Sequence, residues 1–206
     1  MKNARAFWDN SAARYAKRPI RDEDAYRRKL AITQEYLRPD SRVLEFGCGT
    51  GSTAIIHAPH VKNIVAIDIS DQMLEIAERK ARDAGVENIT FKQGTLGGVE
   101  LEKAGFDAVL GLNILHLLED LEATLARVHS LLKPGGVFVS STVLIGDINF
   151  LLRLVIPPMQ VLGFAPYVNR FGKQALIDKL TGAGLSIERE WQPGKATVFI
   201  VARKGA

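Results

Sequence analysis

The stretch RVLEFGCGTGS, residues 42–52, decides the fold. Val43-Leu44-Glu45-Phe46 is a short apolar run that reads as a strand, and Ser52–Ala58 opens a helix. Between them Gly47, Gly49 and Gly51 alternate with Cys48 and Thr50. A chain that passes from strand to helix so quickly must turn sharply. Glycine permits the turn because it lacks Cβ and tolerates positive φ, and it lets a ligand touch the backbone. Glu45 places a carboxylate at the mouth of that turn.

Working outward, the rhythm repeats. Strands are expected at 63–67, 89–92, 106–110 and 137–143, and helices at about 70–84 and 120–132. Ser70 or Asp71 can cap the first of these helices, and Gly85 stops it. Lys133-Pro134-Gly135-Gly136 closes the second. A helix over 172–183 and two strands, 185–191 and 197–202, joined through Pro193-Gly194, end the chain. Strands alternating with helices of this length form βαβ units on a parallel sheet. The expected architecture is α/β: one open sheet of about seven strands, mostly parallel with an antiparallel edge pair, and helices on both faces. Upstream, Phe7, Ser11 and Tyr15 stand four apart, with Trp8 beside them, which is helical spacing. A second helix is expected over 22–37, ended by Pro39-Asp40. One domain is therefore expected over 1–206, with a helical cap at 1–38, a binding core at 39–143, an apolar insertion at 144–171 and an end piece at 172–206.

In such sheets a ligand sits beyond the carboxyl ends of the strands, where strand order reverses. Two ligand classes use a glycine turn there. A dinucleotide places its diphosphate on G-x-G-x-x-G/A; Gly47, Gly49 and Ser52 match this poorly. A nucleoside without a phosphate fits better. Glu45 would repel a diphosphate but suits an ammonium or sulfonium group. Asp68 ends the second strand 21 residues after Gly47, and an acid there can accept both ribose hydroxyl protons.

VLEFGCGTG, VAIDIS, FKQGTL, FDAVLGLNILHLLED and LLKPGGVFVSST stand in the order seen in class I S-adenosylmethionine-dependent methyltransferases. The chain resembles their small-molecule branch, which includes quinone-biosynthesis methyltransferases, over about residues 40–143. The resemblance implies a Rossmann-like fold, S-adenosylmethionine as cofactor and S-adenosylhomocysteine as product. It implies that Glu45, Gly47, Cys48, Gly49 and Gly51 form the loop around the methionine portion. It places Asp68 on the ribose, Ile69 and Met73 against the adenine, and Gly94, Thr95 and Leu96 on its far side. Thr95 departs from the family, where many relatives carry Asp. Asn113 is implied at the methionine portion and the acceptor, and Tyr15 lies on a helix folded over the cofactor. Simpler roles stay open: Gly51 as helix packing, Asp68 as a cap for the next helix, Met73 and Tyr15 as core.

His116, three residues past Asn113, is the candidate general base, since an unperturbed imidazole titrates near pH ~6.5. An idle histidine at a helix start is the alternative. Residues 144–171 are rich in large apolar side chains and carry Pro157, Pro158 and Pro166. They read as a lid over a lipophilic or aromatic small-molecule acceptor, or as a homodimer interface. The net charge of +4 is mild, and its cluster between Arg14 and Lys29 is either a solvated face or a collar for an anionic acceptor. No zinc spacing or aromatic-basic pattern points to nucleic acid. No apolar run reaches the ~18–20 residues of a membrane span. No secretory leader is read at the start, one cysteine offers no disulfide or metal cluster, and a cytoplasmic location is the expectation. A nicotinamide-dependent oxidoreductase and a non-catalytic S-adenosylmethionine-binding protein are the competing readings.

Overall fold

A computed structural model describes residues 2–147 and 166–206. The chain opens with two helices, α1 (Lys2–Ala16) and α2 (Glu23–Gln34). The alternation then runs β1 (Arg42–Phe46), α3 (Ser52–His57), β2 (Asn63–Asp68), α4 (Asp71–Asp83), β3 (Ile89–Gln93), β4 (Phe106–Leu112), α5 (Leu121–Leu131) and β5 (Leu132–Val143). It ends with α6 (Lys173–Gly182), β6 (Leu185–Gly194) and β7 (Thr197–Lys204). The sheet has seven strands in the order β3-β2-β1-β4-β5-β7-β6. Only β7 runs antiparallel to its neighbours, β5 and β6, so the expected open sheet with an antiparallel pair at one edge is what the chain forms.

Period-two alternation sorts the strand side chains between two cores. Leu44, Phe46, Val109 and Phe138 pack with Leu125 and Val128 of α5 and Leu176 of α6. Val43, Ala66, Leu110 and Val139 pack on the other face with Ile32 of α2, Ala54 of α3 and Leu74 of α4. Glu45 falls between Leu44 and Phe46, and Asp68 follows Ile67, so both carboxylates project to the second face. Strand order reverses at β1, which pairs β2 on one side and β4 on the other. The ends of β1 and β4 therefore flank the crevice.

Two element bounds differ from the sequence reading. Leu132 already pairs Phe106 before Val137 pairs Ala108, so Lys133–Gly136 is a bulge inside β5 and not a loop preceding it. Lys133 Nζ holds that bulge to Asp107 Oδ2 at 2.8 Å, and Arg42 N–H donates to the same oxygen at 2.8 Å. At the chain end Gly194 pairs Thr197, so the hairpin turns at Lys195-Ala196 and not at Pro193-Gly194.

Of the insertion, Phe150, Leu151, Leu154, Ile156, Met159, Leu162 and Phe164 lie outside the described residues. Its two described ends meet: Gly146 N–H donates to Phe171 O at 3.0 Å, and Lys173 N–H to Asp147 Oδ2 at 3.0 Å. Asn169 is tied to the segment after β4 through the His116 and Leu118 carbonyls. Among the described residues no helix is long and apolar enough to cross a membrane.

Candidate functional site

The glycine turn is built by backbone geometry. Gly47 has φ +65°, and a Cβ there would lie 2.7 Å from the Ile114 side chain. Gly51 has φ +71° and caps α3; a Cβ there would lie 2.8 Å from Ala77 Cβ of α4. Both positions require glycine, the first beside the crevice and the second for helix packing. Cys48 N–H donates to Ile67 O at 3.0 Å, which ties the turn to β2.

Asp68 fixes the opposite wall. Its Oδ2 accepts Gly49 N–H at 2.8 Å and its Oδ1 accepts Ser70 N–H at 3.0 Å. One carboxylate thus joins the glycine turn to the start of α4. Burial pushes this carboxyl above its ordinary range, while the amide donors from Ser70 and Gly49 pull it back. Ser70 caps α4 by accepting Met73 N–H at 3.1 Å and donates to Asp9 Oδ1 of α1 at 2.6 Å. That bond brings α1 across the end of the sheet.

These walls enclose a cavity of about 400 Å³, within the size range of small-ligand sites. Tyr15, Gly47, Gly49, Asp68, Ile69, Met73, Gly94, Thr95, Leu96 and Asn113 line it, ten of the positions singled out by sequence. Glu45, Cys48, Gly51 and His116 do not. Glu45 is 3% exposed, and its Oε2 has no hydrogen-bond partner among the described residues. Burial first, and then the charge of Asp68, push its carboxyl up to about 8. Cys48 is buried, and burial holds its thiol well above the ordinary range, so it stays protonated and unreactive. Thr95 Oγ1 accepts Gly98 N–H at 3.0 Å, which leaves its hydroxyl proton free to donate. Asn113 has φ +57°, and its N–H donates to Ser141 O at 2.6 Å.

His116 stands in the short 3₁₀ turn Leu115–Leu117 after β4. Its Nδ1 is 3.1 Å from Thr142 Oγ1, and burial lowers its pKa to about 4. The imidazole is neutral near pH 7 and a weak base.

Sequence reasoning missed several lining residues. Trp8 lines the cavity and meets Tyr15 edge-on with ring centroids 6.1 Å apart. Their spacing of seven residues puts them on one helix face, a signal the sequence carried. Leu112, Ile114, Leu117 and Tyr167 line the other end, where no periodicity separates them from ordinary core. Lys29 of α2 donates to Ser141 Oγ at 2.9 Å across a separation that sequence cannot bridge.

The family described as "Methyltransferase domain" matches residues 43–136. An uncharacterized methyltransferase, YcgJ of Bacillus subtilis, is 32% identical over 110 residues, covering 53% of this chain and 44% of the relative. A ubiquinone biosynthesis O-methyltransferase of Methylocella silvestris is 30% identical over 125 residues, covering 61% of this chain and 48% of the relative. The matched part thus spans about half the length of these curated relatives. Among solved structures, a DhpI–SAH complex superposes with a TM-score of 0.76 at 21% identity, covering 99% of this chain and 96% of that one, a likeness of fold.

Proposed function

We propose that this chain, whose residues 43–136 match the methyltransferase-domain family, transfers a methyl group from S-adenosylmethionine to a small lipophilic or aromatic acceptor. When bound, that cofactor supplies a sulfonium methyl for in-line displacement. The observation that carries the reading is the pair of carboxyls at the reversal point of the sheet. Asp68 holds the glycine turn by its backbone, and Glu45 lies buried beneath it with an oxygen unpartnered. Asp68, the acid that lines the cavity beside the turn, disfavours a diphosphate there. The site offers a nucleoside a diol acceptor at Asp68, with a second carboxyl buried nearby.

The residues present fit the cofactor in this orientation. Asp68 retains acceptor capacity for a sugar diol beyond its two amide bonds. Ile69, Met73 and Leu96 give the apolar slot beside it, with Thr95 as a polar edge. Gly47 and Asn113 close the end at β1 and β4, where the methionine portion belongs. Tyr15 and Trp8 of α1 cover the cleft. Positioning of two reactants in a dry site accounts for much of the catalysis such a transfer needs, on the order of 7–11 kcal/mol in well-oriented pairs.

The acceptor then lies beyond Asn113. Leu112, Ile114, Leu118, Pro166 and Tyr167 are apolar members of the cavity lining, with Glu119, Asp120 and Arg127 among its polar ones; the apolar members support a lipophilic or aromatic acceptor and a covering role for the end of the 144–171 insertion. His116 is a poor general base, given its Thr142 contact, its place outside the cavity lining and its depressed proton affinity. An acceptor that is acidic enough to ionise, or already nucleophilic, needs no base from it. The cytoplasm suits this chemistry.

The test is transfer of labelled methyl from S-adenosylmethionine to a fractionated metabolite mixture. We expect label in one or a few apolar small molecules and none without protein. Retention of bound cofactor with no transfer to any fraction would favour the non-catalytic binding protein instead.

A further inference from the structure

The cavity wall next to Asn113 is built from two segments far apart in sequence. One is the 3₁₀ turn Leu115–Leu117, with Ile114 before it and Leu118 after it. The other is the stretch 166–169. A turn this short leaves its last carbonyls without partners of its own. Asn169 supplies the donors. Its N–H donates to His116 O at 2.7 Å, and its Nδ2 donates to Leu118 O at 3.2 Å. A short side chain that ends in an amide donor suits this double contact.

The clamp places Tyr167. That residue stands two positions before Asn169 and lines the cavity together with Leu117 and Leu118. The same wall reaches the glycine turn, since a Cβ on Gly47 would come within 2.7 Å of the Ile114 side chain. Tyr167 is nevertheless 44% exposed. Among the described residues no aromatic ring meets it, whereas Trp8 and Tyr15 of α1 meet each other. Two polar members of the lining are occupied within α5: Asp120 accepts Ala123 N–H at 2.8 Å, and Thr124 Oγ1 donates to Asp120 O at 2.8 Å. A fixed ring with close to half its surface uncovered, at the edge of a cavity, gains most from a ligand that covers it. A second aromatic ring does this best, because aromatic pairs gain more than the area they bury.

Resting on the transfer reaction proposed above, we infer that Tyr167 selects the acceptor. The acceptor presents a planar aromatic ring to Tyr167, and Asn169 is the positioning residue that holds Tyr167 to the turn after β4. A saturated ring of the same size is puckered, has no π face and is held less well.

The test uses protein saturated with S-adenosylhomocysteine and two probes, 2-naphthol and its saturated counterpart decahydro-2-naphthol, with binding read by equilibrium dialysis. Wild type is expected to bind 2-naphthol about fivefold more tightly than the saturated alcohol. Tyr167→Ala is expected to weaken 2-naphthol about tenfold and to erase the preference, and Tyr167→Phe to keep it. Asn169→Ala is expected to lose the preference as well while its Kd for S-adenosylhomocysteine stays within about twofold of wild type, a split that a general loss of structure would not produce. The Tyr167 variants change an exposed side chain, so they decide the matter even where Asn169→Ala fails to fold. No uptake of 2-naphthol, uptake without preference, or equal uptake by Tyr167→Ala would overturn the inference and leave the cofactor reading standing. Equal weakening of both ligands in a folded Asn169→Ala would overturn the positioning role. A wild type that does not bind S-adenosylhomocysteine would overturn the inference and the cofactor reading together.

Discussion

Asp68→Ala lowers the affinity for S-adenosylhomocysteine by at least about a hundredfold, and Asp68→Asn by nearly as much. A hundredfold corresponds to about 2.7 kcal/mol. Two sources add to reach it. The alanine leaves the Gly49 and Ser70 N–H groups without their acceptor, at about 1–3 kcal/mol for each that stays buried. It also removes the acceptor proposed for the ribose hydroxyls, where bonds to a charged group contribute about 1.5–3 kcal/mol each. Asparagine keeps the shape but supplies one acceptor oxygen where two are in use, and its amide would point N–H at N–H. Ser70→Ala is the control. It removes the α4 cap, at about 0.5–2 kcal/mol of stability, and the bond to Asp9 that brings α1 over the cleft, so a loss of affinity smaller than that of Asp68→Ala is expected. Calorimetry on variants whose circular dichroism matches wild type reads the difference; an Asp68→Ala protein that binds within threefold of wild type would rule out the ribose role.

The second large effect falls on the fold. Gly51→Ala is expected to cost about 2–5 kcal/mol of stability. Part is the left-handed backbone at φ +71°, about 1–2 kcal/mol for a residue with a side chain. The rest is overpacking, about 1–3 kcal/mol, since the new methyl would sit 2.8 Å from Ala77 Cβ and 3.4 Å from Phe91 Cε1. Ala77 cannot swing away, since it has no side-chain torsion and is fully buried. Gly85 separates the two contributions. It has φ +65° but open space where a Cβ would go, so Gly85→Ala is expected to show the backbone cost alone. Denaturant midpoints of the three proteins measure both. Equal losses at Gly51 and Gly85 would mean that α3 and α4 are not packed as described.

Much of this was legible in the sequence because local physics writes it there. The glycine turn reads directly: three residues without Cβ after an apolar run have few other uses. Glu45 and Asp68 were found from their places at strand ends, and Ser70 from its chemistry as a cap. What could not be read depends on distance. The bulge at Lys133–Gly136 hides because Pro134-Gly135-Gly136 signals a turn, while the pairing of Leu132 with Phe106 is a tertiary fact. The same holds for Lys29, whose partner Ser141 is 112 residues away. His116 was singled out for its residue type and its nearness to Asn113. Its burial and its Thr142 contact, which make it a weak base, appear only in three dimensions. Trp8 was noticed only as a neighbour in a helical pattern; its place over the cavity depends on the Asp9–Ser70 bond that swings α1 across the sheet.

The most direct test of the account is a side-by-side titration of the wild-type protein with S-adenosylhomocysteine and with NADH. Saturable one-to-one binding of the first, weakened at least about a hundredfold by Asp68→Ala, and no measurable heat from the second are expected. Saturable binding of NADH, with S-adenosylhomocysteine unable to displace it, would contradict it: the glycine turn would then be holding a diphosphate.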